Sequence, residues 1–109
     1  MANIVGLNTP QIDIGQLGSA YLADTAAFTP PTGKVIVAVL SLADATKFTA
    51  LTPSNGDHAY AGTVTQVTAN GTNPDELPDT QTFPAGVTIY GRWAGLTLNG
   101  GAVIMYFGE

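Results

Sequence analysis

The sequence predicts a small, single-domain, all-β protein, and three observations carry that prediction. Lys34 to Leu42 (KVIVAVLSL) is apolar on both faces of an extended chain. Val87 to Trp93 and Ala102 to Phe107 are strand-length runs rich in β-branched and aromatic residues. Gly, Pro and Asn interrupt the chain at short intervals, and no window sustains an apolar period of 3.6. Together they predict a compact antiparallel β-sandwich or jelly-roll-like barrel with an extended N-terminal segment.

The 109 residues fit one domain. Residues 1–33 are expected to form an N-terminal arm, or an edge strand with long loops. Residues 34–109 are expected to form the β-sandwich body. In the first part, Ile12 and Ile14 alternate with Asp13 and Gly15, a short strand signal, and Pro30-Pro31-Thr32-Gly33 closes the region with a stiff turn.

In the body, Lys34–Leu42 is expected to be a central strand covered on both sides. Val35, Val37 and Val39 would share one face, and Ile36, Ala38, Leu40 and Leu42 the other. Lys47–Leu51 reads as a return strand, with a short helix over Leu40–Leu51 as the competing reading. The Thr residues and Pro53 weigh against that helix. Asn55-Gly56 is a hairpin signal, Tyr60–Ala69 reads as a strand, and Asn70–Asp79 is the longest loop. Thr80–Phe83 is a short strand candidate. Val87–Trp93 places Val87, Ile89, Gly91 and Trp93 inward and Thr88, Tyr90 and Arg92 outward. Leu96 and Leu98 continue as a strand. Asn99-Gly100-Gly101 predicts a hairpin turn into Ala102–Phe107.

Charge bounds the function. Only 10% of residues are charged, against roughly 25% in ordinary domains. The surface is therefore built from Thr, Ser, Asn, Gln, Gly and Ala, which is cheap to desolvate and suits protein contacts. Lys34, Lys47 and Arg92 are the whole basic complement, and the net charge is −5. No basic stripe for phosphate neutralisation can be assembled, so neither nucleic acid nor an anionic membrane is an expected partner. There are no cysteines, which removes disulfide and thiolate chemistry. The N-terminus does not read as a signal peptide, and the longest apolar run is far too short for a membrane helix.

Catalytic and metal sites fail for want of residue types. His58 is the sole histidine and sits in a turn beside Asp57; neighbours in sequence on an extended chain point to opposite faces, so the pair reads as a solvated loop histidine and not as the oriented base of a triad. A zinc site needs three or four His, Cys or carboxylate ligands, and one His with no Cys argues against one. The acidic loop with Asp75, Glu76 and Asp79 lacks the spacing of a calcium-binding loop, and Pro74 and Pro78 restrict it. Phosphate-binding loops, nucleophile elbows and paired carboxylates across a cleft are not read either. No enzyme, no cofactor and no metal is expected. The aromatic C-terminal segment is the remaining feature. Tyr90, Arg92, Trp93 and Tyr106 are the candidate interface residues, since Tyr, Trp and Arg are the types that anchor protein contacts.

The stretch Phe83-Pro84-Ala85-Gly86-Val87-Thr88-Ile89-Tyr90-Gly91-Arg92-Trp93, followed by Ala94 to Gly108, resembles a terminal segment of small structural proteins from tailed phages, marine and cyanobacterial ones especially. The shared pattern is F-P-x-G, a strand with I-Y-G-R-W, a turn, and an apolar strand ending in Tyr-x-Gly. It covers about a quarter of the chain. The resemblance implies a non-enzymatic decoration (cement) protein that binds the major capsid protein lattice on the capsid exterior, often as a homotrimer. Such a protein resides in host cytoplasm only during assembly. A tail-fibre-associated module binding a receptor or glycan through Tyr90, Trp93 or Tyr106 is the alternative.

Overall fold

The computed structural model describes residues 17–54, 60–64, 66, 70–72 and 74–109. They form an all-β fold built on a five-stranded antiparallel sheet. The strands are β1 (Ser19–Leu22), β2 (Val35–Ser41), β3 (Phe48–Pro53), β4 (Thr88–Leu98) and β5 (Val103–Gly108), in the spatial order β1-β5-β2-β4-β3. Among the described residues there is no α-helix, so the competing helix over Leu40–Leu51 is replaced by the end of β2, a turn and β3. Ala45 takes a left-handed φ of 62° in that turn and delivers Thr46 into the interior. The Thr46 and Ser41 hydroxyls both donate to the Ala43 carbonyl, which satisfies two buried polar groups at once.

The sheet order corrects the expected local pairings. Asn99-Gly100-Gly101 does form a turn, with positive φ at both glycines. The strands it joins are not partners, however, because β2 lies between β4 and β5. β2 and β3 are likewise separated by β4. β4 is one continuous strand rather than two, and it serves two partners. Its first half pairs with β2 up to Trp93 opposite Ile36, and its second half pairs with β3 from Trp93 opposite Pro53 to Leu98 opposite Phe48. Along that second half Phe28 exchanges two backbone hydrogen bonds with Leu96.

Bulges set which residues face inward. Ile36 is opposite Phe107 but Ala38 is opposite Tyr106, so β2 carries one extra residue, Val37, against β5. An extra residue shifts the alternation of everything beyond it. Ile36 and Val39 therefore share the covered face, where strict alternation had put them on opposite faces. Ala94 is a second extra residue, on β4 against β3, and it brings Trp93 and Leu96 to the same side.

The core lies on one face of the sheet. Val103, Met105 and Phe107 of β5 pack with Ile36 and Val39 of β2, Trp93, Leu96 and Leu98 of β4, and Phe48 and Leu51 of β3. The connections supply the cover. Phe28 stacks on Phe107 with ring centroids 6.0 Å apart, and Phe83 meets Phe48 edge-on at 5.5 Å. Residues 60–64, expected as part of a strand, are instead a bent connection: Thr63 N–H donates to the Leu51 carbonyl, and the Ala61 carbonyl accepts the indole N–H of Trp93 at 2.8 Å. Thr80–Phe83 is reduced to a single bridge between Phe83 and Thr46. The strand signal at Ile12–Ile14, the Asn55-Gly56 turn and His58 lie outside the described residues.

Candidate functional site

The opposite face of the sheet has no such cover among the described residues. Directly paired residues in an antiparallel ladder share a face. Ala38 of β2 is opposite Tyr90 on one side and Tyr106 on the other, and Tyr106 is in turn opposite Ser19. The next row along is Tyr21, Ile104, Leu40 and Thr88. The two rows make a sheet surface of aromatic and aliphatic side chains. Tyr21 is 66% exposed and Tyr90 63%, and Leu42 at the end of β2 is 40% exposed. Ile104, Leu40 and Tyr106 are half-buried by their neighbours, while Ala38, between its two tyrosines, is 1% exposed.

Of the four candidate residues, the fold brings Tyr90 and Tyr106 to this face. They stand two strands apart, about 10 Å at the usual inter-strand spacing. Trp93 is elsewhere: it is 1% exposed in the core, its indole N–H bonded to Ala61 and its ring against Gly91. Trp93 faces inward, as the alternation along Val87–Trp93 predicts, and has no surface to offer a partner in this chain; the tyrosines on the open face are Tyr21, Tyr90 and Tyr106. Arg92 falls in the irregular step between the Tyr90 and Trp93 pairings. Its side chain is half-buried and its carbonyl accepts from Ser54 N–H. Sequence reasoning missed Tyr21, Leu40 and Ile104 as a group. Tyr21 belongs to a four-residue strand within the region expected as an N-terminal arm or edge strand, Leu40 is expected on a covered face of the central strand, and Ile104 is assigned to no face by its sequence pattern.

Charge is sparse in the strands that form this face. β1, β2 and β5 contain no charged residue, and β4 contains only Arg92. The described acids Asp24, Asp44, Asp75, Glu76, Asp79 and Glu109 all lie in connections or at the chain end. A face dominated by Tyr, Leu and Ile, with a single charged residue in its strands, costs little to desolvate and returns apolar burial on contact. Rigid tyrosines add contact area with few rotamers to freeze.

Elsewhere, Asp75, Glu76 and Gln81 line an open cleft with Ala61, Pro74 and Leu77. Among the described residues no group of three or more His, Asp or Glu side chains is placed to hold a metal ion. Comparison with protein-family models, with curated proteins and with solved structures returns no match.

Proposed function

We propose that this chain is a non-enzymatic structural protein of a phage virion that decorates the capsid exterior, docking on the major capsid protein lattice through the open face of its sheet. One observation carries the proposal: an aromatic and aliphatic sheet face has no cover among the described residues, and Arg92 is the one charged residue in the strands β1, β2, β4 and β5 that form it. Exposed apolar area of this kind marks a contact surface in a stable small protein. The resemblance of Phe83–Gly108 to phage structural proteins supplies the kind of partner, and it runs through β4 and β5, which carry Tyr90 and Tyr106. The acidic balance suits a shell that encloses DNA without trapping it on the outside.

The test mixes purified protein with empty capsids of the parent virus and measures bound protein per capsid subunit. Saturation at a fixed ratio is expected, and Tyr90→Lys is expected to weaken binding by at least tenfold, as truncation of a central tyrosine does in protein interfaces. A mass-spectrometric inventory of virions is expected to count hundreds of copies. Binding to host cells without binding to capsids, or only a handful of copies per virion, would replace this reading by the tail-fibre one.

A further inference from the structure

The two edges of the sheet are not alike. β3, one edge, is guarded: it carries an extra residue at Thr49, ends in Pro53, and receives the Thr63 segment, whose N–H donates to the Leu51 carbonyl while the Thr63 hydroxyl accepts from Leu51 N–H. Bulges, proline and a covering segment are the devices that keep an edge strand from adding another strand. β1, the other edge, has the sequence Ser-Ala-Tyr-Leu, with no charge, no proline and no bulge in its register with β5. Among the described residues nothing pairs with its outer side.

The hydrogen bonds fix which backbone groups of β1 point outward. In an antiparallel ladder, opposed residues alternate between bonding each other and turning away. Phe107 N–H donates to the Gly18 carbonyl, so that phase makes Ala20/Met105 and Leu22/Val103 the bonded pairs. A second bond, from Leu42 N–H to the Ala102 carbonyl, sets the β2–β5 ladder. It directs Ile104 and Tyr106 toward β2 and leaves Met105 and Val103 for β1, in agreement. The N–H and C=O of Ser19 and Tyr21 therefore face the outer edge.

We infer that the β1 edge pairs with β1 of a second copy, antiparallel across a two-fold axis through Ala20. Of the symmetric registers, the one centred on Ala20 pairs both outward residues of β1 within the strand itself: Ser19 bonds Tyr21 of the partner subunit, Tyr21 bonds Ser19 of the partner subunit, and the two Ala20 residues oppose each other without bonding. All the outward donors and acceptors of Ser19 and Tyr21 are then satisfied. The open faces of the two copies join into one surface with Tyr21 at its middle. The assembly is a dimer, in place of the trimer that the resemblance implies. It stands independently of the capsid reading, because self-association is measured with no capsid present.

The chain has no cysteine, which makes the register directly testable. Opposed non-bonded residues have Cα atoms about 4.5 Å apart, within disulfide range, whereas two Ser19 residues would be offset by two positions and out of range. Ala20→Cys is expected to give a disulfide-linked dimer under mild oxidation in large excess over Ser19→Cys. Equilibrium sedimentation of the unmodified chain is expected to give the mass of two chains. Tyr21→Pro removes an outward N–H while leaving the β1–β5 bonds in place, and is expected to weaken the dimer roughly tenfold or more. A monomer or trimer mass at high micromolar concentration would overturn the inference. So would equal cross-linking of the two cysteine variants, or a dimer indifferent to Tyr21→Pro in a variant whose circular dichroism matches the parent. The sedimentation result decides the matter even if a variant does not fold.

Discussion

On one side of β5, Val103, Met105 and Phe107 are buried, and Phe107 lies against Phe28 from a connection. On the other side of the same strand, Ile104 and Tyr106 are half-buried, with Tyr21, Ser19, Leu40 and Ala38 of the neighbouring strands opposite them. The two faces do not differ much in residue type. Both are apolar, and both draw on the same strands. What differs is the cover, which among the described residues the connections provide through Phe28, Leu77 and Phe83 on the core side. An apolar pattern on both faces of a strand therefore says that each face seeks a partner. It does not say that the chain itself supplies both.

If the covered face holds the fold together, the largest loss should come from its largest side chain. Trp93 is fully buried, joins the β2 and β3 ladders through β4, and satisfies its N–H on Ala61. Trp93→Ala is expected to cost about 3–5 kcal/mol, through lost burial and the cavity left behind. Urea unfolding followed by circular dichroism measures this. A loss below about 1 kcal/mol would place the core elsewhere.

Adjacent residues of β5 give a matched test of the two faces. Met105 is 0% exposed, and Met105→Ala is expected to cost about 2–5 kcal/mol. Ile104 points to the open face, and Ile104→Thr is expected to cost less than about 1 kcal/mol, since the branched side chain keeps its strand preference and little is uncovered. Equal costs from the same denaturation curves would mean that the open face is covered in solution by something that also stabilises the monomer.

How far these faces were legible depends on how local their causes are. β2, β4 and β5 stand out in the sequence because Val, Ile, Tyr and Phe cluster there, a property of each segment alone. The alternation within them misleads wherever a bulge intervenes. Val37 and Ala94 are ordinary residues, and their extra positions exist only relative to a partner strand. Sheet order was hidden for the same reason: β2 inserts between β4 and β5 although the turn at Gly100 and Gly101 has hairpin chemistry. β1 is short and weakly patterned, so Tyr21 could not be joined to Tyr90 and Tyr106 before the ladder was known. The absence of His, Cys and Arg combinations was readable outright, because it concerns composition and not placement.

Gly91 offers a smaller perturbation of the covered face. A Cβ there would stand 2.5 Å from the indole ring of Trp93, and a packed ring has no flexible end to yield. Gly91→Ala is expected to cost about 1–3 kcal/mol as the ring is displaced. The indole fluorescence of the only tryptophan reports that displacement directly, so a shifted emission maximum should accompany the lowered urea midpoint.

Tyr90 is expected to give the smallest effect on stability. It is one residue from Gly91 in sequence and lies 63% exposed on the open face. Tyr90→Thr keeps a strand-favouring residue opposite Ala38 and removes a ring that already stands mostly in water. The unfolding free energy of the monomer should stay within about 0.5 kcal/mol of the parent, while capsid occupancy falls. That separation is what distinguishes a contact surface from a second core. A side chain kept for a partner can be lost without cost to the fold, and one kept for the fold cannot. Should Tyr90→Thr lower stability as much as Gly91→Ala does, Tyr90 would belong to the packing of this chain, and the docking face would have to be sought around Tyr21 instead.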